Sequence, residues 1–290
     1  MVRAYAVKGK KRKKREEKYD REEEEQQQQQ DVAEQEPPEE EHDAKRAMTE
    51  RTSDVEDEEE KEEVNELEGI PIAPSELNVA NKPKIVFILE RASLEVAKVG
   101  KTYQLLNSDD HASFLRRNNR NPADYRPDIV HQALLMMLDS RLNKSGRLQA
   151  VYVRTEKGVL IEVKPHARLP RTFKRFSGLM LQLLQKLSTT AVGKREKLLR
   201  VIKNPVSQYL PVNSRKIGFS YSSDKLININ NYVASASSDS DFVFVLGAMA
   251  HGKIDKDYAD DFISISGFPL SAAYCITMIT NALEAKYNIL

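Results

Sequence analysis

Between Val243 and Ile254 the chain reads VFVLGAMAHGKI, which sets Gly247, Gly252 and Lys253 at the spacing of a phosphate-binding loop behind an apolar run. Triphosphate binding at such a loop takes a Ser or Thr hydroxyl after the lysine, where it holds Mg²⁺ against the phosphates. Ile254 fills that place and has no hydroxyl. The helix opened by such a loop would turn its first amides toward the phosphates, yet Asp255, Asp257, Asp260 and Asp261 follow and repel them. The pattern therefore predicts a strand end whose glycines let some other ligand approach the backbone closely.

Two further constellations carry charge. Arg126 and Asp128 flank Pro127, which limits the backbone between a guanidinium and a carboxylate. Taken alone, Asp128 would stabilise a helix N-terminus by ~0.3 to 1 kcal/mol. Arg168, Arg171 and Arg175, with Lys174 beside them, form a basic cluster, and the spacing of Arg171 and Arg175 puts both on one helix face. Such a cluster either grips phosphates and stacks on bases or lines a solvated helix face. His131 is expected to be structural, and His251 has no assigned chemistry. The single cysteine, Cys275, excludes a disulfide framework and a multi-cysteine metal site, and its apolar helical surroundings predict a packing role.

These residues need elements to hold them. The run KIVFILE (Lys84–Glu90) has strand length, and a helical stretch is expected to follow it. RPDIVHQALLMMLDS predicts a helix opening at Pro127, and LQAVYVRTEKGVLIEVKP predicts two strands around Lys157 and Gly158. An amphipathic helix is expected over Arg171–Ser188, then four short strands in LLRVIK, KIGFSYS, DFVFVLGA and DFISISG, then a closing helix from Leu270 to Lys286. The alternation predicts an α/β fold with a mainly parallel sheet, in which ligands bind beyond the carboxyl ends of the strands. Three strand ends are expected to converge there, at Asn204 and Pro205, at Gly247 and Gly252, and at Gly267 and Pro269.

Residues 1–81 are dominated by charge and glutamine and are expected to be a disordered tail, leaving 82–290 as the one folded domain. The net charge of +1 hides a basic folded part behind this acidic tail, and a basic domain suits a polyanionic partner. No apolar run reaches the ~18 residues of a membrane span, and the charged N-terminus is unlike a signal peptide. KGKKRKKR (Lys8–Arg15) fits nuclear import or plain solvated charge.

The motifs RPDIVHQALLMMLDS, RLPRTFKRFSGLMLQLLQKLS, LLRVIKNPVSQYLP, FVLGAMAHGK and GFPLSAA, in this order, resemble the SPOUT-class ribosome-biogenesis methyltransferases of eukaryotes and archaea. The resemblance runs over nearly all of 82–290. It implies a deep trefoil knot in the C-terminal part, an inserted β-hairpin and helix extension, and S-adenosylmethionine as cofactor without a metal. It further implies methyl transfer to N1 of a pseudouridine in small-subunit rRNA, a homodimer, and residence in the nucleus and nucleolus.

Cofactor contacts implied by the resemblance fall on Phe219, Gly247, Gly252, Ile265, Ser266, Gly267, Phe268, Pro269 and Leu270. Gly267 and Phe268 stand where relatives usually have Asn and Tyr, and Phe219 replaces a smaller residue, so contacts there are expected from the backbone. Arg168, Arg171 and Arg175 fall on rRNA-contacting positions, and Arg126 on the target nucleotide, with Asp128 holding its guanidinium. A carboxylate paired in that way is a weak base, so Arg126 is expected to stabilise charge developing on the base while the N1 proton leaves to water. The alternative is an assembly factor that clamps pre-ribosomal RNA and whose catalysis is dispensable. Apolar residues of the last helix, among them Leu270, Tyr274, Met278 and Leu283, are expected to cover a dimer partner.

Overall fold

The computed structural model describes residues 83–290 apart from 192, 194 and 256–258. The expected tail, its Lys8–Arg15 run and Asp257 lie outside the described residues. In chain order the fold begins with β1 (Ile85–Ala92), β2 (Val96–Val99), β3 (Thr102–Leu105), α1 (Ala112–Arg117), α2 (Pro127–Asp139) and α3 (Arg141–Lys144). It continues with β4 (Leu148–Thr155), β5 (Leu160–Val163), α4 (Phe173–Lys186), β6 (Ser188–Thr190) and β7 (Lys197–Ile202). It closes with β8 (Arg215–Phe219), α5 (Ile229–Ala234), β9 (Phe242–Gly247), β10 (Asp261–Ile263) and α6 (Ala272–Lys286).

Eight strands form one sheet in the order β10-β8-β9-β1-β4-β5-β7-β6. The pairings from β10 to β4 are parallel, and those from β4 to β6 are antiparallel. Thus the expected parallel sheet carries an antiparallel extension, entered through the β4–β5 turn where Gly158 sits at φ 81°. Central β1 is apolar from Ile85 to Leu89 because both its faces are covered. Ile85, Phe87 and Leu89 pack with Val130 and Leu134 of α2, Phe176 of α4 and Ile276 of α6. Val86 and Ile88 join a smaller cluster with Tyr152, Val243, Val245 and Ile254. Each such aliphatic burial stabilises the fold by roughly 1.5–3 kcal/mol.

Two expectations needed correction. The stretch after β1, expected to be helical, first forms the β2–β3 hairpin, in which Val99 pairs with Thr102 around Gly100 and Lys101, and is helical only over α1. Gly100, at φ 63°, supplies the backbone conformation a two-residue hairpin turn demands. The amphipathic helix is shorter than expected: it starts at Phe173 after its N-cap Thr172 and ends where Leu187 adopts φ 62°. That left-handed residue terminates the helix and releases Ser188 into β6. Arg171 therefore precedes the helix and does not share its face with Arg175.

Among the described residues no helix is long and apolar enough to cross a membrane, and no group of three or more His, Cys, Asp or Glu side chains could hold a metal ion.

Candidate functional site

Beyond the carboxyl ends of β8, β9 and β10 lies a pocket of about 370 Å³, closed on one side by the start of α6. Seven of the nine residues expected to hold a cofactor line it: Phe219, Gly247, Gly252, Ile265, Ser266, Phe268 and Leu270. Gly267 and Pro269 belong to the same loop but do not line the pocket, and a Cβ at Gly267 would meet nothing within 4 Å. The strand end at Asn204 and Pro205 is absent from the pocket, because β7 belongs to the antiparallel extension and Asn204 Nδ2 donates to the Gly158 carbonyl at 2.7 Å. The third converging loop is instead Ser220–Ser222, directly after β8. Its signal was present in the sequence as the polar run that follows KIGF.

The walls are set by close backbone approach. Ile227 N donates to Ser264 O and Ser264 N to Lys225 O, both at 2.9 Å, which stitches the loop after β8 to the loop after β10. Ser223 Oγ adds a bond to Phe262 O at 2.7 Å. Asp261 anchors this seam by accepting from Arg215 Nη2 at 2.8 Å, from Lys225 Nζ at 2.7 Å and from the Tyr232 hydroxyl. Those donors hold its carboxyl far below the usual carboxylate range. Gly252 sits at φ 110°, and a Cβ there would come within 2.7 Å of Arg91 Nη1. Glu156 holds that guanidinium at 2.9 and 3.0 Å and the Lys253 carbonyl accepts from it at 2.9 Å, so a side chain at Gly252 would have to displace it from these partners. Ile254, the residue that spoils a triphosphate loop, is 5% exposed and packs in the smaller cluster. Cys275 lines the pocket wall, where burial pushes its thiol up to about 11, out of the range of a nucleophile at neutral pH.

A second cavity of about 490 Å³ shares Gly247, Met249, Leu270 and Ala272 with the first, and Arg126 lines it. Arg126 is the residue before α2, and Pro127 takes the first helical position. Its guanidinium donates in parallel to Asp128, Nε to Oδ1 at 2.8 Å and Nη2 to Oδ2 at 2.6 Å. Its backbone N donates to Ser93 Oγ at 2.8 Å, tying the pair to the end of β1. The bonds from Arg126 hold the Asp128 carboxyl below its ordinary value. His131 is structural, as expected: its Nε2 lies 2.8 Å from Pro170 O, and its ring stacks on Phe176 at 4.4 Å. Arg168, Arg171 and Arg175 are exposed and line neither cavity. Arg171 makes a solvent-exposed pair with Asp139 at 3.2 Å, the kind worth ~0–1 kcal/mol and easily exchanged for another anion.

The family model described as EMG1/NEP1 methyltransferase matches residues 87–284. A mouse protein named ribosomal RNA small subunit methyltransferase NEP1 is 51% identical over 207 residues, covering 71% of this chain and 83% of that protein. The human protein of the same name is 47% identical over 232 residues, covering 79% and 93%. A Thermococcus kodakarensis relative is 32% identical over 186 residues, covering 64% and 83%. Among solved structures, Archaeoglobus fulgidus Nep1 bound to S-adenosylhomocysteine superposes with a TM-score of 0.54 at 22% identity, covering 71% of this chain and 99% of that one, which shows a shared fold. Residues 87–284 contain every residue that lines the two cavities, and the chain belongs to the EMG1/NEP1 methyltransferase family.

Proposed function

We propose that this protein is an S-adenosylmethionine-dependent methyltransferase acting on N1 of a pseudouridine in small-subunit rRNA, and that it serves in small-subunit assembly in the nucleus and nucleolus. One observation carries the reading: a glycine-lined pocket and an arginine-bearing cavity share a wall at Gly247, Met249, Leu270 and Ala272. The names of the relatives, and the ligand in the archaeal structure, point the same way.

The pocket fits this cofactor. It is bordered by backbone, small residues and apolar side chains, with Phe219, Gly247, Gly252, Ile265, Ser266, Phe268 and Leu270 available to hold an adenosine and a thioether chain. Gly267 and Pro269 shape the loop that carries these contacts. When bound, the cofactor supplies an electrophilic methyl group. The chain's part is to place the acceptor nitrogen beside it in the right orientation. Arg126 stabilises negative charge developing on the base, Asp128 fixes its orientation, and the proton leaves to water because the paired carboxylate is a poor acceptor. Arg168, Arg171 and Arg175 grip RNA phosphates outside the cavity. The deep trefoil knot belongs to the same reading, supported by β10 returning in parallel to the far side of β8 after β9 has formed.

The test is label transfer from S-adenosylmethionine to two short RNA hairpins that differ only in carrying pseudouridine or uridine at one loop position. Transfer to the pseudouridine hairpin alone, without Mg²⁺ or ATP, supports the reading, and equal transfer to both overturns it.

A homodimer is part of the proposal. Leu283 is fully buried in its own core and so cannot cover a partner, which leaves Tyr274, 57% exposed, and the half-buried Leu270 and Met278 from the expected set; Met136 on α2, 43% exposed, is a further apolar residue at the surface. Light scattering at micromolar concentration is expected to give twice the chain mass, and Tyr274→Asp is expected to shift it toward the monomer. A monomeric mass with methyl transfer intact contradicts the dimer.

Asp261 offers a separate check on the seam. Asp261→Ala strands Arg215 and Lys225, and is expected to weaken S-adenosylmethionine binding about tenfold while leaving RNA affinity near normal. Calorimetric titration of both ligands decides, and unchanged cofactor affinity would show that the seam does not shape the pocket.

A further inference from the structure

A third cavity, of about 560 Å³, adjoins the Arg126 cavity and shares Met249, Ala250 and His251 with it. Its walls come from the end of β1, the segment Asn119–Tyr125 and the β4–β5 turn, none of which carries a residue assigned above to RNA contact. Tyr125 lines this cavity and Arg126, the next residue, lines the neighbouring one. Consecutive residues thus serve consecutive cavities along one wall.

The chemistry of this cavity is unlike that of a phosphate site. Its cations are already paired with carboxylates: Arg91 with Glu156 at 2.9 Å, Arg120 with Glu95 at 2.6 Å and Lys157 with Glu95 at 3.8 Å. Asp124 adds a further negative charge. What remains is suited to a neutral heterocycle: the partly buried Tyr125 ring and the Asn119 amide, which has no protein partner among the described residues. Aromatic faces hold bases by stacking, and amides read their hydrogen-bonding edges. The site is also held in shape, since Tyr125 OH lies 3.3 Å from Arg120 Nη1 and 3.4 Å from Glu95 Oε2.

We propose that this cavity receives the base of a nucleotide adjacent to the methylated one, through Tyr125 and Asn119, so that the enzyme recognises the sequence around its target as well as the target itself. The inference rests on the RNA methyltransferase reading above.

The test uses the full-length protein and hairpins in which the nucleotide on the 5′ or the 3′ side of the pseudouridine is abasic. With wild type, one of the two abasic hairpins is expected to lose about tenfold in kcat/KM against the intact hairpin, the scale of one stacked base. Tyr125→Leu is expected to methylate the intact and that abasic hairpin at equal rates, with S-adenosylmethionine affinity unchanged. Asn119→Gly is a second, gentler variant, because Asn119 sits at φ 54°, which glycine adopts freely. It is expected to shrink the same difference in part. Equal rates of wild type on all hairpins overturn the inference while leaving the functional reading intact, as does a tenfold loss that persists undiminished in both variants. Failure of wild type on the intact pseudouridine hairpin overturns the functional reading, and the inference falls with it.

Discussion

Arg126→Ala is expected to lower methyl transfer to a pseudouridine hairpin about a hundredfold, the cost of removing one well-placed charge-stabilising donor. Asp128→Gly should lose a large part of the same factor, because the carboxylate fixes the guanidinium through two parallel bonds at 2.6 and 2.8 Å. If the two act as one unit, adding Arg126→Ala to the Asp128→Gly background costs far less than Arg126→Ala alone. S-adenosylmethionine affinity should stay near normal in all three, since Asp128 lines neither cavity and Arg126 lines only the second. Asp128→Gly should also lower stability by ~1 to 3 kcal/mol, through loss of a helix-terminal carboxylate, an unpaired guanidinium and glycine entropy in the first turn. Fully additive activity losses would show that the residues work independently. A collapse of cofactor affinity in Asp128→Gly would place the pair in the wrong cavity.

Gly252→Val is the second large effect. The backbone there holds φ 110°, a conformation that β-branched residues essentially do not adopt, and a Cβ would stand 2.7 Å from Arg91 Nη1. Relief requires either breaking the Arg91–Glu156 grip or moving the loop that borders both the pocket and the Arg126 cavity. The expected result is a loss of ~1–3 kcal/mol in stability and of at least tenfold in cofactor affinity. Thermal melting with and without S-adenosylhomocysteine measures both. A variant that melts and binds like wild type would mean that the glycine serves neither purpose.

The sequence made β1 and β9 legible because IVFIL and FVFVL are continuous apolar runs, a signature of buried parallel strands, and β4 legible through the turn at Lys157 and Gly158 that follows it. The hairpin over Val96–Leu105 was not read, because four-residue strands with mixed exposure carry too little periodicity to outweigh a helical guess. Helix ends failed for a related reason: Leu187 and Ser188 look like helix residues, and only a left-handed backbone angle stops the helix there. Within the site, glycine spacing marked the loop after β9. The loop after β8 carries no Gly or Pro to mark it, whereas Asn204 and Pro205 carry that mark outside the site, since Gly and Pro end strands on either side of a sheet alike. The Arg126–Asp128 pairing was expected from the resemblance, and the two parallel bonds supply its geometry. The third cavity had no sequence signal at all, as its walls come from four separate segments, at 91–95, 119–125, 156–157 and 249–251.

The central claim is tested most directly by nucleoside mass spectrometry of small-subunit rRNA from cells that have the protein and from cells that lack it. The account predicts that N1-methylpseudouridine is present with the protein, absent without it, and restored by wild type but not by Arg126→Ala. An unchanged N1-methylpseudouridine level in cells lacking the protein would contradict it.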